Sequence, residues 1–74
     1  MDNKSKQIVD IISTVLKSEV NRDTVRTDCV KWDSLKHIEI IFAIEDFFAV
    51  EFTEDEMIKL DSVQAFVDRI ENET

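Results

Sequence analysis

The sequence predicts an all-α protein, a small bundle of three main helices plus one short helix. Three observations lead there. Apolar residues recur at three- and four-residue spacing over most of the chain, the period of a helix with one face in a core. The 74 residues include neither Gly nor Pro, so no helix is broken by a ring, and turns needing positive φ fall to Asn or Asp. Thr53-Glu54-Asp55-Glu56 has the form of a capping box, with a hydroxyl at the cap and a carboxylate three residues later.

The elements follow in order. Ile8, Ile11, Ile12, Val15 and Leu16 form one stripe of an amphipathic helix from about Asn3 to Glu19, with Asn21 as its left-handed stop. From Asn21 to Asp33 the chain is polar with isolated apolar residues, Val25, Cys29, Val30 and Trp32, and reads as a long loop pinned to the core at a few points. Trp32 is expected to pack over the end of that core. A second helix starts at Asp33 or Ser34 and runs to about Phe48, a rod of about 22 Å. Its apolar residues Leu35, Ile38, Ile41, Phe42, Ile44 and Phe48 cover more than one face, which makes it central. The capping box opens a short third helix through about Leu60. Asp61-Ser62-Val63-Gln64 resembles a second box and introduces a last helix with Val63, Phe66, Val67 and Ile70 inward. Val50-Glu51-Phe52 alternates like a strand but has nothing to pair with.

Size and charge narrow the function. Residues 1–74 are read as a single domain with one modest core, too small to enclose an enzyme cleft of ordinary size. The formal net charge of −8 argues against nucleic acid and anionic membrane as partners. The charge is also uneven: residues 1–37 hold 7 basic against 6 acidic side chains, net +1, and residues 38–74 hold 2 against 11, net −9. An acidic face for basic partners is the functional reading of that asymmetry, and solubility the plain one. Cys29 is the only cysteine, which excludes an internal disulfide and suits a reduced, cytoplasmic setting. The opening Met1-Asp2-Asn3-Lys4-Ser5-Lys6 lacks the apolar stretch of a signal peptide, and the longest apolar run, Ile40 to Ile44, is too short to span a bilayer.

Catalytic chemistry is not expected. One His and one Cys make no metal-ligand cluster, and Asp33, Ser34 and His37, although of triad types, lie on adjacent turns of one helix start rather than converging from distant segments. The acidic run Glu51 to Glu56 does not follow a calcium-loop pattern.

The informative segment is Trp32-Asp33-Ser34-Leu35-Lys36-His37-Ile38-Glu39. Taken alone it is an ordinary helix start, a cap followed by apolar periodicity. In order along the chain, however, Asp33-Ser34-Leu35, Ile38-Glu39, Ala43-Ile44-Glu45-Asp46, Phe48, the Thr53 to Glu56 helix start and Val63-Gln64-Ala65 resemble the acyl carrier protein family, and the first helix matches in position and pattern. The resemblance implies that Ser34, flanked by Asp33 and Leu35, receives 4′-phosphopantetheine from coenzyme A. A free-standing carrier, not an enzyme, would then hold acyl intermediates as thioesters for fatty-acid, polyketide or related biosynthesis. A phosphodiester at a helix N-terminus is physically well placed, facing unpaired N–H groups and the positive end of the dipole. The resemblance also implies partner contacts at Leu35, Ile38, Glu39, Phe42, Glu45, Asp46 and Glu51, although core packing or plain solvation is the default for each alone. The implied partners are a phosphopantetheinyl transferase and acyl-loading and acyl-transferring enzymes with basic docking patches, met by a monomer. Trp32 stands where a small residue is common, and Lys36 and His37 bring basic character, features closer to specialised secondary-pathway carriers. Two further readings share the bundle: an aminoacyl or peptidyl carrier of non-ribosomal synthesis, and an unmodified helical adaptor that would not depend on Ser34.

Overall fold

A computed structural model describes residues 3–72; Met1 and Asp2, which open the N-terminal stretch considered above, lie outside them, as do Glu73 and Thr74. Four α-helices follow one another, α1 (Asn3–Leu16), α2 (Ser34–Phe48), α3 (Glu54–Lys59) and α4 (Val63–Glu71), and a 3₁₀ turn, Arg26–Asp28, interrupts the long loop. The all-helical bundle expected from the periodicity is therefore present, with α3 as the short member. Helix α1 packs against both α2 and α4. Ile8, Ile12 and Leu16 of α1, Ile40, Ile41 and Ile44 of α2, and Val63, Phe66, Val67 and Ile70 of α4 meet in one core, closed by Trp32, Phe52 and Leu60 from the connections.

Helix α2 ends at Phe48 as expected, but the stop of α1 and the residues that take positive φ differ from expectation. Helix α1 ends at Leu16 rather than Glu19, and its left-handed residue is Lys17 (φ 55°), not Asn21. Helix α2 ends the same way at Ala49 (φ 57°, ψ 48°). In both, the next N–H reaches back five residues, Ser18 N to Ser13 O at 3.2 Å and Val50 N to Glu45 O at 3.1 Å. These bonds satisfy carbonyls that a helix end leaves open, which is how a chain without Gly tolerates positive φ at Lys and Ala. Asn21 instead heads a side-chain turn, its Oδ1 accepting from Asp23 N at 2.8 Å, the local bond an Asn is suited to make. Because Ala carries a Cβ into the left-handed region, Ala49→Gly should stabilise the fold by roughly 0.5–1 kcal/mol. Chemical denaturation would show this as a raised midpoint with unchanged slope.

The third and fourth helices begin on side-chain caps. Thr53 Oγ1 accepts from Glu56 N–H at 3.2 Å while Glu56 Oε1 accepts from Thr53 N–H at 2.9 Å, so the capping box is complete. The second box is not. Ser62, one residue later than the pattern suggested, caps α4 by accepting from Ala65 N–H at 3.0 Å, and Gln64 donates to Asp68 at 2.8 Å instead of reaching back. Asp61 is displaced from capping because its carbonyl accepts from Arg26 N–H at 2.8 Å.

That bond is one of several that tie the long loop down. Val63 N–H donates to Thr24 O at 3.0 Å, and Val25 and Ser62 form an isolated antiparallel bridge. The loop is thus moored to the α3–α4 joint, while Val30, expected among the core pins, is 98% exposed. Residues Val50 to Phe52 form no strand, in keeping with the lack of a pairing partner.

Candidate functional site

Asp33 and Ser34 divide the work of starting α2. Asp33 is the N-cap, extended at φ −90° and ψ −173°, and its Oδ1 accepts from Lys36 N–H at 2.9 Å. Ser34 is the first helical residue and is exposed. Its hydroxyl is therefore not needed to cap the helix and stands open to solvent at the positive end of α2. The Oγ accepts one hydrogen bond, from Arg26 Nη2 at 3.2 Å. Arg26 also donates through Nε to the Trp32 carbonyl at 3.4 Å, so one guanidinium spans the junction before the helix. Sequence reasoning missed Arg26, because its reach to Ser34 comes from the mooring of the 3₁₀ turn on Asp61 and from no local spacing.

Beneath the junction lies a buried polar bridge. Trp32 is 2% and His37 7% exposed. Trp32 Nε1–H donates to His37 Nδ1 at 3.0 Å. An indole N–H can only donate, so Nδ1 must be the accepting nitrogen, and the proton of the neutral ring sits on Nε2. It is directed at the Met57 carbonyl 2.7 Å away. Both rings lie within 6.4 Å of the Phe66 ring centre, and Phe52 adds a fourth ring at 6.1 Å. His37 is thus a neutral strut between the Ser34 junction and α3 and does not bring the basic character expected of it. Its ring is held by Trp32 and Met57 rather than by a nucleophile, which removes the triad geometry.

The outward side of α2 carries an apolar strip. Leu35 is 64%, Ile38 49% and Phe42 59% exposed, so core packing is not their role; the core residues of α2 are His37, Ile40, Ile41 and Ile44. Glu39 is exposed beside them and pairs with Lys36 at 3.6 Å, a surface contact of small energetic weight. The other acidic candidates separate. Glu45 is half-buried and turned to the loop after α2, its Oε2 accepting from Phe52 N–H at 2.7 Å. Asp46 is exposed on the rim of a groove between α1 and α2 lined also by Ile11, Val15 and Phe47. Glu51 is exposed, and its carbonyl accepts from Arg69 at 3.3 Å. Glu54 and Asp55 are exposed at the start of α3. Glu56 bonds to Arg69, whose guanidinium also covers the Phe52 ring at 5.3 Å. That hydrogen bond from Arg69, with the Thr53 N–H behind it, holds the Glu56 carboxyl below the usual carboxylate range.

Among the described residues no group of three or more His, Cys, Asp and Glu side chains is placed to hold a metal ion, and no helix is long and apolar enough to cross a membrane.

The helical fold agrees with the comparisons to known proteins. The sequence pattern of the phosphopantetheine attachment site family matches residues 6–70, nearly all of the four-helix unit. The chain belongs to the acyl carrier protein family. It is 36% identical to the acyl carrier protein of Buchnera aphidicola subsp. Schizaphis graminum over 97% of this chain and 95% of that one. Against the acyl carrier protein of the Baizongia pistaciae subspecies the identity is 32% over 95% and 94%. A shorter stretch of 39 residues is 56% identical to acyl carrier protein 3 of Ralstonia nicotianae, covering 53% of this chain and 45% of that one. Members of the acyl carrier protein family are carriers rather than catalysts and bear covalent phosphopantetheine.

Proposed function

We propose that residues 1–74 act as one carrier domain in which the Ser34 hydroxyl takes 4′-phosphopantetheine from coenzyme A and presents acyl cargo to enzymes of fatty-acid, polyketide or related synthesis. The observation that carries this reading is the exposed Ser34 Oγ on the first residue of α2, left free of capping by Asp33. The residues around it suit the group. The phosphodiester would sit on the N-terminal side of α2, where backbone N–H groups favour an anion, with the Arg26 guanidinium alongside. In the attachment step the Ser34 Oγ–P bond forms, the pyrophosphate P–O bond of coenzyme A breaks, adenosine 3′,5′-bisphosphate leaves, and the serine proton passes to the transferase. When attached, the arm supplies a terminal thiol that holds the cargo as a thioester.

Partner enzymes would meet the strip of Leu35, Ile38 and Phe42, with Glu39, Asp46 and Glu51 and the first turn of α3 as acidic surroundings. An exposed apolar strip rimmed by charge is what a docking surface needs. Intact mass after incubation with a phosphopantetheinyl transferase and coenzyme A tests the proposal. One added phosphopantetheine is expected, and an unchanged mass overturns it.

Docking by charge has its own test. Glu45 must be left out of it, because a Lys there would lose the bond to Phe52 N–H and disturb the fold. Glu39, Asp46 and Glu54 are exposed and replaceable. Converting the three together to Lys should slow modification by the transferase about tenfold or more at low ionic strength. The deficit should shrink in high salt, where the Debye length falls to about 3 Å. An unchanged rate at low salt would leave recognition to Leu35, Ile38 and the loop before Ser34.

A further inference from the structure

We infer that Arg26 is the phosphate-binding residue of this carrier: its guanidinium pairs with the phosphodiester once Ser34 is modified and fixes the root of the arm against the loop. The inference rests on the attachment at Ser34 proposed above.

Three features of the site carry it. The first is placement. Arg26 is half-buried and its backbone is held on both sides, N–H to Asp61 O at 2.8 Å and carbonyl from Cys29 N–H at 3.1 Å. The side chain therefore starts from a fixed point, and Nη2 ends 3.2 Å from Ser34 Oγ. That oxygen would become the ester oxygen, one bond from phosphorus, so the non-bridging oxygens would lie within reach of the same guanidinium.

The second is charge. In a chain of net charge −8 with 17 acidic residues, a cation normally finds a carboxylate. Arg26 has none among the described residues; it contacts a hydroxyl and a carbonyl. The two other basic side chains nearest Ser34 in sequence are differently engaged. Lys36 pairs with Glu39 at 3.6 Å, and Lys31 Nζ donates to Lys17 O at 3.4 Å. Arg26 alone of the three is aimed at the attachment oxygen.

The third is need. Asp33 stands next to Ser34, and its carboxylate is retained as the cap. A phosphodiester on Ser34 adds a second anion to adjacent residues, a repulsion that a nearby fixed cation offsets. Arg suits this better than Lys, because its planar fork can hold the Trp32 carbonyl with one N–H and give phosphate the others.

The test compares apo and holo forms of the wild type and of Arg26→Gln. A role confined to anchoring the Trp32 carbonyl lowers the melting temperature of both forms equally. Pairing with phosphate lowers the holo form more, by roughly 2–4 °C beyond the apo loss for a domain of this size, and the excess disappears at 1 M salt. Equal losses in both forms overturn the inference. Should Arg26→Gln fail to fold, the wild type decides through the NMR resonance of Arg26 Nε–H. That signal should shift on conversion from apo to holo and regain its apo position in high salt, and an unmoved signal overturns the inference. Failure of the attachment reading is seen separately, as a wild-type protein that gains no mass.

Discussion

Ser34→Ala should abolish the mass gain completely while leaving the fold almost untouched. The second half of that expectation comes from the division of labour at the start of α2. Asp33, not Ser34, accepts the Lys36 N–H, so losing the Ser34 hydroxyl removes no cap. It removes one partly exposed hydrogen bond from Arg26, worth about 0.5–1.5 kcal/mol, and Ala at a helical position returns some of that through its higher propensity. Helical circular dichroism should be unchanged and the melting temperature within a few degrees of wild type. Asp33→Ala should do the reverse for stability and cost about 1 kcal/mol as a lost cap. Three other serines make poor substitutes for Ser34. Ser13 Oγ accepts from Val20 N–H at 3.3 Å, Ser62 Oγ caps α4, and Ser5 is buried. A Ser34→Ala protein that still gains phosphopantetheine would show the assignment to be wrong.

The largest stability effect is expected at the bridge under the site. His37→Leu keeps an apolar side chain of comparable bulk but removes both hydrogen bonds. It leaves the Trp32 indole N–H buried without an acceptor and the Met57 carbonyl without its donor. An unsatisfied buried group costs about 1–3 kcal/mol, so a loss of about 2–4 kcal/mol is expected. A domain of this size then melts roughly 10–20 °C lower. Against a total stability of about 5–15 kcal/mol that is severe. The cause is separable from packing by a second change. Trp32→Phe in the His37→Leu background removes the orphaned N–H, so the double variant should be more stable than the sum of the single losses predicts. Strict additivity would mean that the His37 effect is one of shape alone. Because the Trp32 carbonyl also receives Arg26 Nε–H, loosening this residue should disturb the Ser34 junction before it disturbs α1.

Much of this protein was legible in its residues because the signals were local. Helix period, the Thr53–Glu56 capping box and the polar loop before Asp33 depend on neighbours within four residues, and each is found where the pattern puts it. The family, too, is written in an order of short motifs that survives without coordinates. The stop of α1 was misread, and the left-handed Ala49 after α2 was not foreseen, because a positive φ was assigned by residue preference to Asn and Asp. Long-reach bonds from Ser18 and Val50 make Lys17 and Ala49 acceptable there.

What the chain alone determined was which residues are apolar and at what spacing. What only the tertiary structure decided was which apolar and polar residues turn inward. Helix α2 is apolar on more than one side, so periodicity cannot choose between Leu35, Ile38 and Phe42 and their neighbours Ile40, Ile41 and Ile44. The choice is made by where α1 and α4 lie. His37 was expected to bring basic character and is a buried strut, because the Trp32 indole and the Met57 carbonyl, five and twenty residues away, supply the partners that make burial of a neutral imidazole affordable. Arg26 reaches Ser34 for a similar reason. They lie eight positions apart in the chain, and only the mooring of the loop on Asp61 and Ser62 brings the guanidinium to the hydroxyl. Distances set by contacts between segments far apart in the chain leave no periodic trace in it.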